Sequence, residues 1–250
     1  MNKLITRRTA IIAGLATAGG LLLTRAPKLL PPTYGNLLRL GDNLTYAAQR
    51  ALLPGQSLVK EYSYADITSF PAIGTTNPAA SENSFTAEEY DTLQKDGFRN
   101  WELSVEGSVA TPRTFSIAEL KQFPARTQIT RHTCEEGWSA IGQWTGVPLS
   151  MVLDAVGILP SARFVAYSSV DDWTDSIDLL DALHPQTMLA YGMNGRDLPV
   201  PHGAPLRIRV ETQLGAKSIK YLNRIVVLDE FNDGGLRGSI QNGWAWDMGI

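Results

Sequence analysis

Residues 101–109 alternate apolar and polar, the period of a strand with one buried face. Ser116 followed by Glu119 forms a capping box and predicts a short helix that ends before Pro124. Residues 128–133 read as a strand running directly into Cys134. A helix follows over 148–156, with Pro148 at its start and Gly157 at its end. Residues 163–168 predict a strand, and Asp175 or Ser176 opens a helix through Leu183 that stops at His184-Pro185. Strands are expected at 188–191, 206–210 and 221–228, with a turn at Met193-Asn194-Gly195-Arg196. Ahead of these, residues 27–70 are weakly patterned. Pro31, Pro32 and Gly35 suggest an extended linker there, and small and turn residues make 68–83 a loop. Strands mixed with short helices and long loops predict an α+β fold rather than a doubly wound parallel sheet.

The first 26 residues follow a different rule. They carry four basic residues (Lys3, Arg7, Arg8, Arg25) and no acidic one, with an uncharged run from Thr9 to Leu23. About 15 residues are too few to span a bilayer as an ordinary helix, which takes roughly 20. The run suits the apolar region of an export signal. Thr6, the pair Arg7-Arg8 and the Gly- and Ala-containing run after them resemble a twin-arginine signal. No clean A-x-A follows Leu23, so both a cleaved signal and a retained anchor stay open. The expected organisation is therefore a signal or anchor at 1–26, a linker and extension packing on the domain at 27–97, and the main domain at 98–250. The expected location is the periplasm, reached in the folded state. Proteins on that route often carry a cofactor inserted before export.

Composition narrows the functional classes. The chain of 250 residues is 44 % hydrophobic with a net charge of −3, which suits a folded globular protein. Its pI of about 5.7 argues against nucleic-acid binding. A single cysteine, Cys134, excludes an intrachain disulfide, a cysteine-rich zinc site and a Cys-ligated iron–sulfur cluster. In an oxidising compartment that thiol is expected to be either buried and inert or occupied. Histidines 132, 184 and 202 lack the close spacing of a zinc helix. No G-x-G-x-x-G or G-x-x-x-x-G-K-[ST] motif occurs.

Two constellations carry candidate chemistry. Cys134 lies in RHTCEEGW, where a strand ends and a turn begins. Arg131 and His132 would lower its pKa, and Glu135 and Glu136 would oppose them. The second constellation is PVPHGAPLRIRVETQLGAKSIK at 199–220, with His202, Arg207, Arg209, Lys217 and Lys220. Strand alternation puts Arg207 and Arg209 on one face, and the turn Gly215-Ala216-Lys217-Ser218 offers amides to an anion. Such cations suit a phosphate. Three readings follow from these residues: a cofactor enzyme, a cofactor-free periplasmic anion-binding module, and a Cys–His hydrolase with His184 or His202 as base.

Both constellations, with Trp144-Thr145-Gly146-Val147-Pro148-Leu149 between them and LAYGMNGRDLPVPHGAPLRIRVETQLGAKSIKYLNRI at 189–225, resemble the sulfite oxidase family of molybdopterin oxidoreductases. The resemblance covers residues 98–230 and is nearest to bacterial, exported, single-domain members. It implies a sulfite-oxidase-like fold, a molybdenum–molybdopterin (Mo-pyranopterin) cofactor and two-electron oxygen-atom transfer on a small substrate that can contain sulfur. Cys134 matches the family's metal-ligating cysteine. The family's pterin and phosphate contacts map onto Ser169, Asp171, His202, Arg207, Ser218, Ile219 and Lys220. A weaker match falls on Phe70 and Pro71 in Ser69-Phe70-Pro71. With no other redox centre read in the chain, the implied electron partner is a separate haem protein or cytochrome, in the membrane or outside it. The basic residues that bind sulfite have no clear counterpart beyond Arg131, so the resemblance leaves the substrate open.

Overall fold

The computed structural model describes residues 37–52, 57–82, 84–231 and 237–250, and the 1–26 segment lies outside them. Among the described residues ten strands form two sheets, one mixed and one antiparallel. One sheet runs in the order β2-β1-β10-β5-β6, built from β1 (Glu102–Gly107), β2 (Arg113–Ser116), β5 (Phe164–Ser169), β6 (Thr174–Asp178) and β10 (Leu222–Leu228). Its β1–β10 pair is parallel, and its other pairs are antiparallel. The second sheet has the order β3-β4-β7-β8, from β3 (Arg126–Thr133), β4 (Ser139–Pro148), β7 (Met188–Met193) and β8 (Arg196–Asp197), with β9 (Arg207–Arg209) also pairing with β7. One apolar core joins the two sheets. Leu103 and Val105 of β1, Val147 of β4, Val165 of β5, Leu189 of β7, Ile208 of β9 and Ile225 of β10 all belong to it.

Among the described residues five α-helices sit around the sheets: α1 (Leu37–Leu52), α2 (Ser84–Lys95), α3 (Ile117–Leu120), α4 (Leu149–Val156) and α5 (Leu179–Ala182). The expected capping box starts α3, where Ser116 Oγ accepts the Glu119 N–H and Glu119 accepts the Ser116 N–H. Gly157, at φ 69°, ends α4 in the left-handed conformation. Leu149, Val152, Leu153 and Val156 bury one face of α4 in the core.

Two expectations are corrected, and one strand is new. The helix expected from Asp175 or Ser176 is strand β6 as far as Asp178, and only α5 is helical. Pairing with β5 holds residues 174–178 extended. The true cap is Asp178, whose carboxylate accepts the Asp181 N–H at 2.9 Å. The linker read over 27–70 contains α1. That helix is tied to the domain by polar groups: Tyr46 donates to Asp178 at 2.9 Å, and Arg50 meets Asp178 and Asp181. Helix α2 is anchored by Tyr90, buried against Trp101 and Tyr221, whose hydroxyl donates to the Ala204 carbonyl at 2.7 Å. Strand β4 had no counterpart in the sequence reading. It packs so closely on β7 that a Cβ at Gly146 would fall 2.1 Å from the Leu189 carbonyl oxygen.

Candidate functional site

A cleft of about 330 Å³ opens where the end of β3, the 215–220 segment, the start of the 201–207 segment and the 70–75 segment converge. Nine of the ten expected site residues line it: Phe70, Pro71, Cys134, Asp171, His202, Arg207, Ser218, Ile219 and Lys220. Ser169 is the exception. It lies behind the wall, donating to Asp171 Oδ1 at 2.6 Å and accepting the Trp173 N–H at 3.1 Å. Its place in the geometry is to orient two residues that do face the cleft.

Cys134 follows β3 directly. Its N–H donates to the Trp138 carbonyl at 2.8 Å, and the Gly137 N–H returns to the Cys134 carbonyl at 3.1 Å, so a closed turn holds the thiol. The side chain is buried. Burial first, and then the carboxylates of Glu135 and Glu136, push the thiol up to about 11 despite a compensating backbone hydrogen bond. The expected lowering by Arg131 and His132 does not occur. Alternation along β3 sends Arg131 outward, where its guanidinium lies over the Tyr62 ring. His132 turns inward but carries no charge to offer, because burial and the nearby Arg209 and Arg207 hold its pKa well below the usual histidine value.

The hydrolase reading finds no hydrogen bond between the Cys134 thiol and a histidine among the described residues, although His202 lines the same cleft. The hydrogen-bond partner of the Cys134 thiol is Glu135, at 3.6 Å, and not a histidine. His184 lies elsewhere, with Nε2 3.1 Å from the Ser57 carbonyl and Nδ1 accepting the Gln186 N–H.

The other end of the cleft is cationic. Arg207 donates to the His202 carbonyl at 3.0 Å and to the Ser218 carbonyl at 2.5 Å, while its buried Nε has no hydrogen-bond partner. Burial and the neighbouring Arg209 lower it to about 9. Lys220 donates to the carbonyls of Ile73 at 2.8 Å, Pro201 at 3.2 Å and Thr75. Burial and Arg207 bring it to about 8. His202, beside both, falls to about 4 for the same reasons. A carbonyl dipole orients a cation without cancelling its charge, so this corner keeps an unspent positive field.

Arg207 and Arg209 do share a face, as expected, and both guanidinium groups lie over the Trp144 ring. Their partners differ. Arg209 is committed to Glu211 through two hydrogen bonds at 3.0 and 2.8 Å. Lys217 turns away from the cleft to Asp175 at 2.5 Å. The turn amides of Lys217 and Ser218 are spent on Leu214 and Gly215 carbonyls. The expected anion site is thus narrower than the segment that suggested it.

Several cleft residues were not among the expected site residues: Trp138, Trp173 and Trp244, together with His132 and Gly215, which the sequence pointed to only as a neighbour of the thiol and as part of a turn. The alternation of β3, with Arg131 out, was the available signal for His132. The tryptophans come from separate loops, and no local pattern joins them. Phe70 sits at the centre of the aromatic wall, 5.2 Å from His132, 5.7 Å from His202 and 5.3 Å from Trp144 between ring centroids. It is brought there by Thr68, whose N–H and hydroxyl both bond Ile141 of β4.

Among the described residues no cluster of three or more His, Cys, Asp or Glu could hold a metal ion. A metal at Cys134 would need further ligands from a cofactor. The donor set fits such a group: a soft sulfur at one end, and at the other two cations without carboxylate partners and an orphaned guanidinium N–H.

Comparison with known proteins gives the same direction. The model of the oxidoreductase molybdopterin-binding domain family matches residues 90–235. A protein-methionine-sulfoxide reductase subunit, YedZ1 of Azospira oryzae, is 36 % identical over 165 residues, 66 % of this chain and 62 % of that protein. The protein-methionine-sulfoxide reductase catalytic subunit MsrP of Ralstonia nicotianae is 34 % identical over 146 residues, 52 % of this chain and 44 % of its own length. This chain therefore spans less than two thirds of either relative. The solved structure of the sulfane dehydrogenase SoxCD of Paracoccus pantotrophus superposes with a TM-score of 0.50 at 24 % identity, covering 53 % of this chain and 39 % of that one, a likeness of fold. The match of the family model to more than half of the chain, with the cleft's thiol and both of its cations inside the matched region, shows that the chain belongs to the oxidoreductase molybdopterin-binding domain family.

Proposed function

We propose that this chain is an exported molybdenum–molybdopterin oxidoreductase that transfers an oxygen atom to or from a small sulfur compound, a sulfoxide being the favoured substrate. The observation that carries the reading is the pairing, in a single cleft, of one buried thiol with two cations that have no carboxylate at ion-pair distance. Cys134 would ligate the metal, and coordination would keep ionised a thiol that burial otherwise holds protonated. Arg207 and Lys220 would hold the cofactor phosphate. His202, Asp171, Ser218 and Ile219 would line its pterin, with Ser169 orienting Asp171 and with Phe70 and Pro71 closing the wall. The bound group supplies the two-electron chemistry, and the chain binds and orients it.

A sulfoxide takes up two electrons and two protons to give a thioether and water. The named activity of the two relatives supports that substrate class. So does the local charge: Glu135 and Glu136 flank the thiol and Arg131 faces away, a poor setting for an anion such as sulfite and a tolerant one for a neutral sulfoxide. Electrons would come from a separate haem protein, membrane-bound in the simplest arrangement, and Arg7-Arg8 would direct export.

Metal and pterin analysis of the full-length chain purified from a molybdenum-replete host tests the reading. About one molybdenum and one pterin per chain are expected, with methyl viologen-driven reduction of a dialkyl sulfoxide. Cys134→Ser is expected to lose that activity by at least about 100-fold, the scale on which loss of a metal ligand or its support acts. Folded wild-type protein free of molybdenum and pterin overturns it.

A further inference from the structure

We infer that His132 is a cofactor-contacting residue: its Nε2–H donates to an acceptor atom of the molybdopterin at the end of the cleft held by Cys134, with Arg209 and Glu211 as the positioning pair behind it. This rests on the proposed cofactor and extends its contacts to a residue that the family resemblance did not supply.

The argument starts from Arg209. Its guanidinium is almost wholly buried and lies 4.4 Å from the centroid of the Trp144 ring to its central carbon. Nε and Nη2 donate to the two oxygens of Glu211, which is also buried and takes a further hydrogen bond from Gln128 at 3.2 Å. Nη1 lies 2.7 Å from His132 Nδ1. A guanidinium has donors and no acceptor. Nδ1 must therefore present its lone pair, and the ring proton resides on Nε2.

Packing fixes the direction of that proton. The ring is flanked by Phe70 and Trp138, at 5.2 and 5.4 Å between centroids. Its Nε2 edge faces the 215–218 turn, where a Cβ on Gly215 would fall 2.4 Å from Nε2 and from Cε1. Only glycine permits so close an approach at that edge, and His132, Cys134 and Gly215 line the cleft together. Among the described residues no protein acceptor meets Nε2. A donor built into a mostly buried wall, oriented by a buried ion pair and left without a protein acceptor, is provision for a ligand.

The test uses [15N]histidine-labelled full-length protein, produced with and without molybdenum, and compares long-range 1H–15N spectra. His132 is expected as the Nε2–H tautomer in both, with its Nε2 resonance displaced in the loaded protein. His132→Phe, which keeps a flat ring and removes the donor, is expected to release pterin ~5- to 10-fold faster than wild type, the effect of one lost hydrogen bond. His132→Gln, which can accept from Arg209 and still donate, is expected to restore most of the retention. An Nδ1–H tautomer, or an Nε2 resonance identical in loaded and empty protein, overturns the inference even if the Phe variant fails to fold. So does equal pterin retention in wild type and a folded Phe variant. A wild-type chain that never acquires pterin overturns the functional reading and this inference with it; the other adverse outcomes overturn this inference alone.

Discussion

Four cations of one short segment divide into two pairs with opposite surroundings. Arg209 and Lys217 are buried and each faces a buried carboxylate, Glu211 and Asp175. Arg207 and Lys220 are also withdrawn from water, yet among the described residues each is met by main-chain carbonyls and neither has a carboxylate at ion-pair distance. The first pair is electrically closed and serves the scaffold: Arg209 bridges β9 to β3 through His132, and Lys217 ties the 215–217 turn to β6. The second pair feels carboxylates only at longer range, Arg207 from Glu211 and Lys220 from Asp171. Charge type is alike in both pairs and three of the four side chains are buried, Lys220 being partly exposed, so the partner is what separates support from ligand site.

The sharpest way to break this comparison is to remove one member of a closed pair. Arg209→Met leaves Glu211 buried with its charge uncompensated, and Lys217→Met does the same to Asp175. Each is expected to cost about 3–5 kcal/mol of unfolding free energy, measured by urea denaturation of the cofactor-free chain. Asp175 keeps the Ser239 N–H at 2.9 Å, so the lysine variant should be the milder of the two. A loss below about 1 kcal/mol for both would erase the distinction, since surface ion pairs contribute no more than that.

Next in size is the opposite substitution. Arg207→Met and Lys220→Met remove a charge that holds no carboxylate in an ion pair, so the empty protein is expected to change by about 1 kcal/mol or less. Pterin content per purified chain should fall by roughly 10- to 100-fold, because a charge-assisted hydrogen bond contributes about 1.5–3 kcal/mol. Variants that lose stability like Arg209→Met while loading normally would reverse the assignment.

That division was only half legible in the sequence. The position of the cations, the shared face of Arg207 and Arg209, and the thiol at a strand end could all be read from local pattern. The partners could not. Glu211 is two residues from Arg209 and was open to notice, but Asp175 lies 42 residues from Lys217, inside a stretch whose capping residues suggested a helix. The fold shows the same limit. Half-buried β1 and capped α3 and α4 announced themselves. Strand β4, buried on both faces and interrupted by Gly142 and Gly146, has no alternation to read. Helix α1 is held by Tyr46 and Arg50 against three aspartates, a polar anchorage that an apolar period does not reveal. Ser169 was found by resemblance, and the geometry moves it one step back from the cleft.

The smallest expected effect is a pH dependence that separates an unbalanced cation from a balanced one. Burial and the adjacent Arg207 lower Lys220 from 10.5 to about 8 in the folded chain. Between those values the unfolded chain carries the lysine proton and the folded chain has shed it, so the unfolded state binds more protons and stability rises with pH. The charge is fully present in the fold, and its cost fully felt, below about pH 8. Other groups titrate in the same window, tyrosines among them, so the useful quantity is the difference between wild type and Lys220→Met in the cofactor-free chain. Relative to the variant, wild type should gain stability from about pH 8 to 10.5, by less than the effects above because Lys220 is partly exposed. An anion in the site supplies the missing counter-charge and raises the lysine pKa, so the same difference measured on cofactor-loaded protein should flatten. A slope that persists unchanged after loading would mean that the ammonium never meets the cofactor, and the cationic corner would then rest on Arg207 alone.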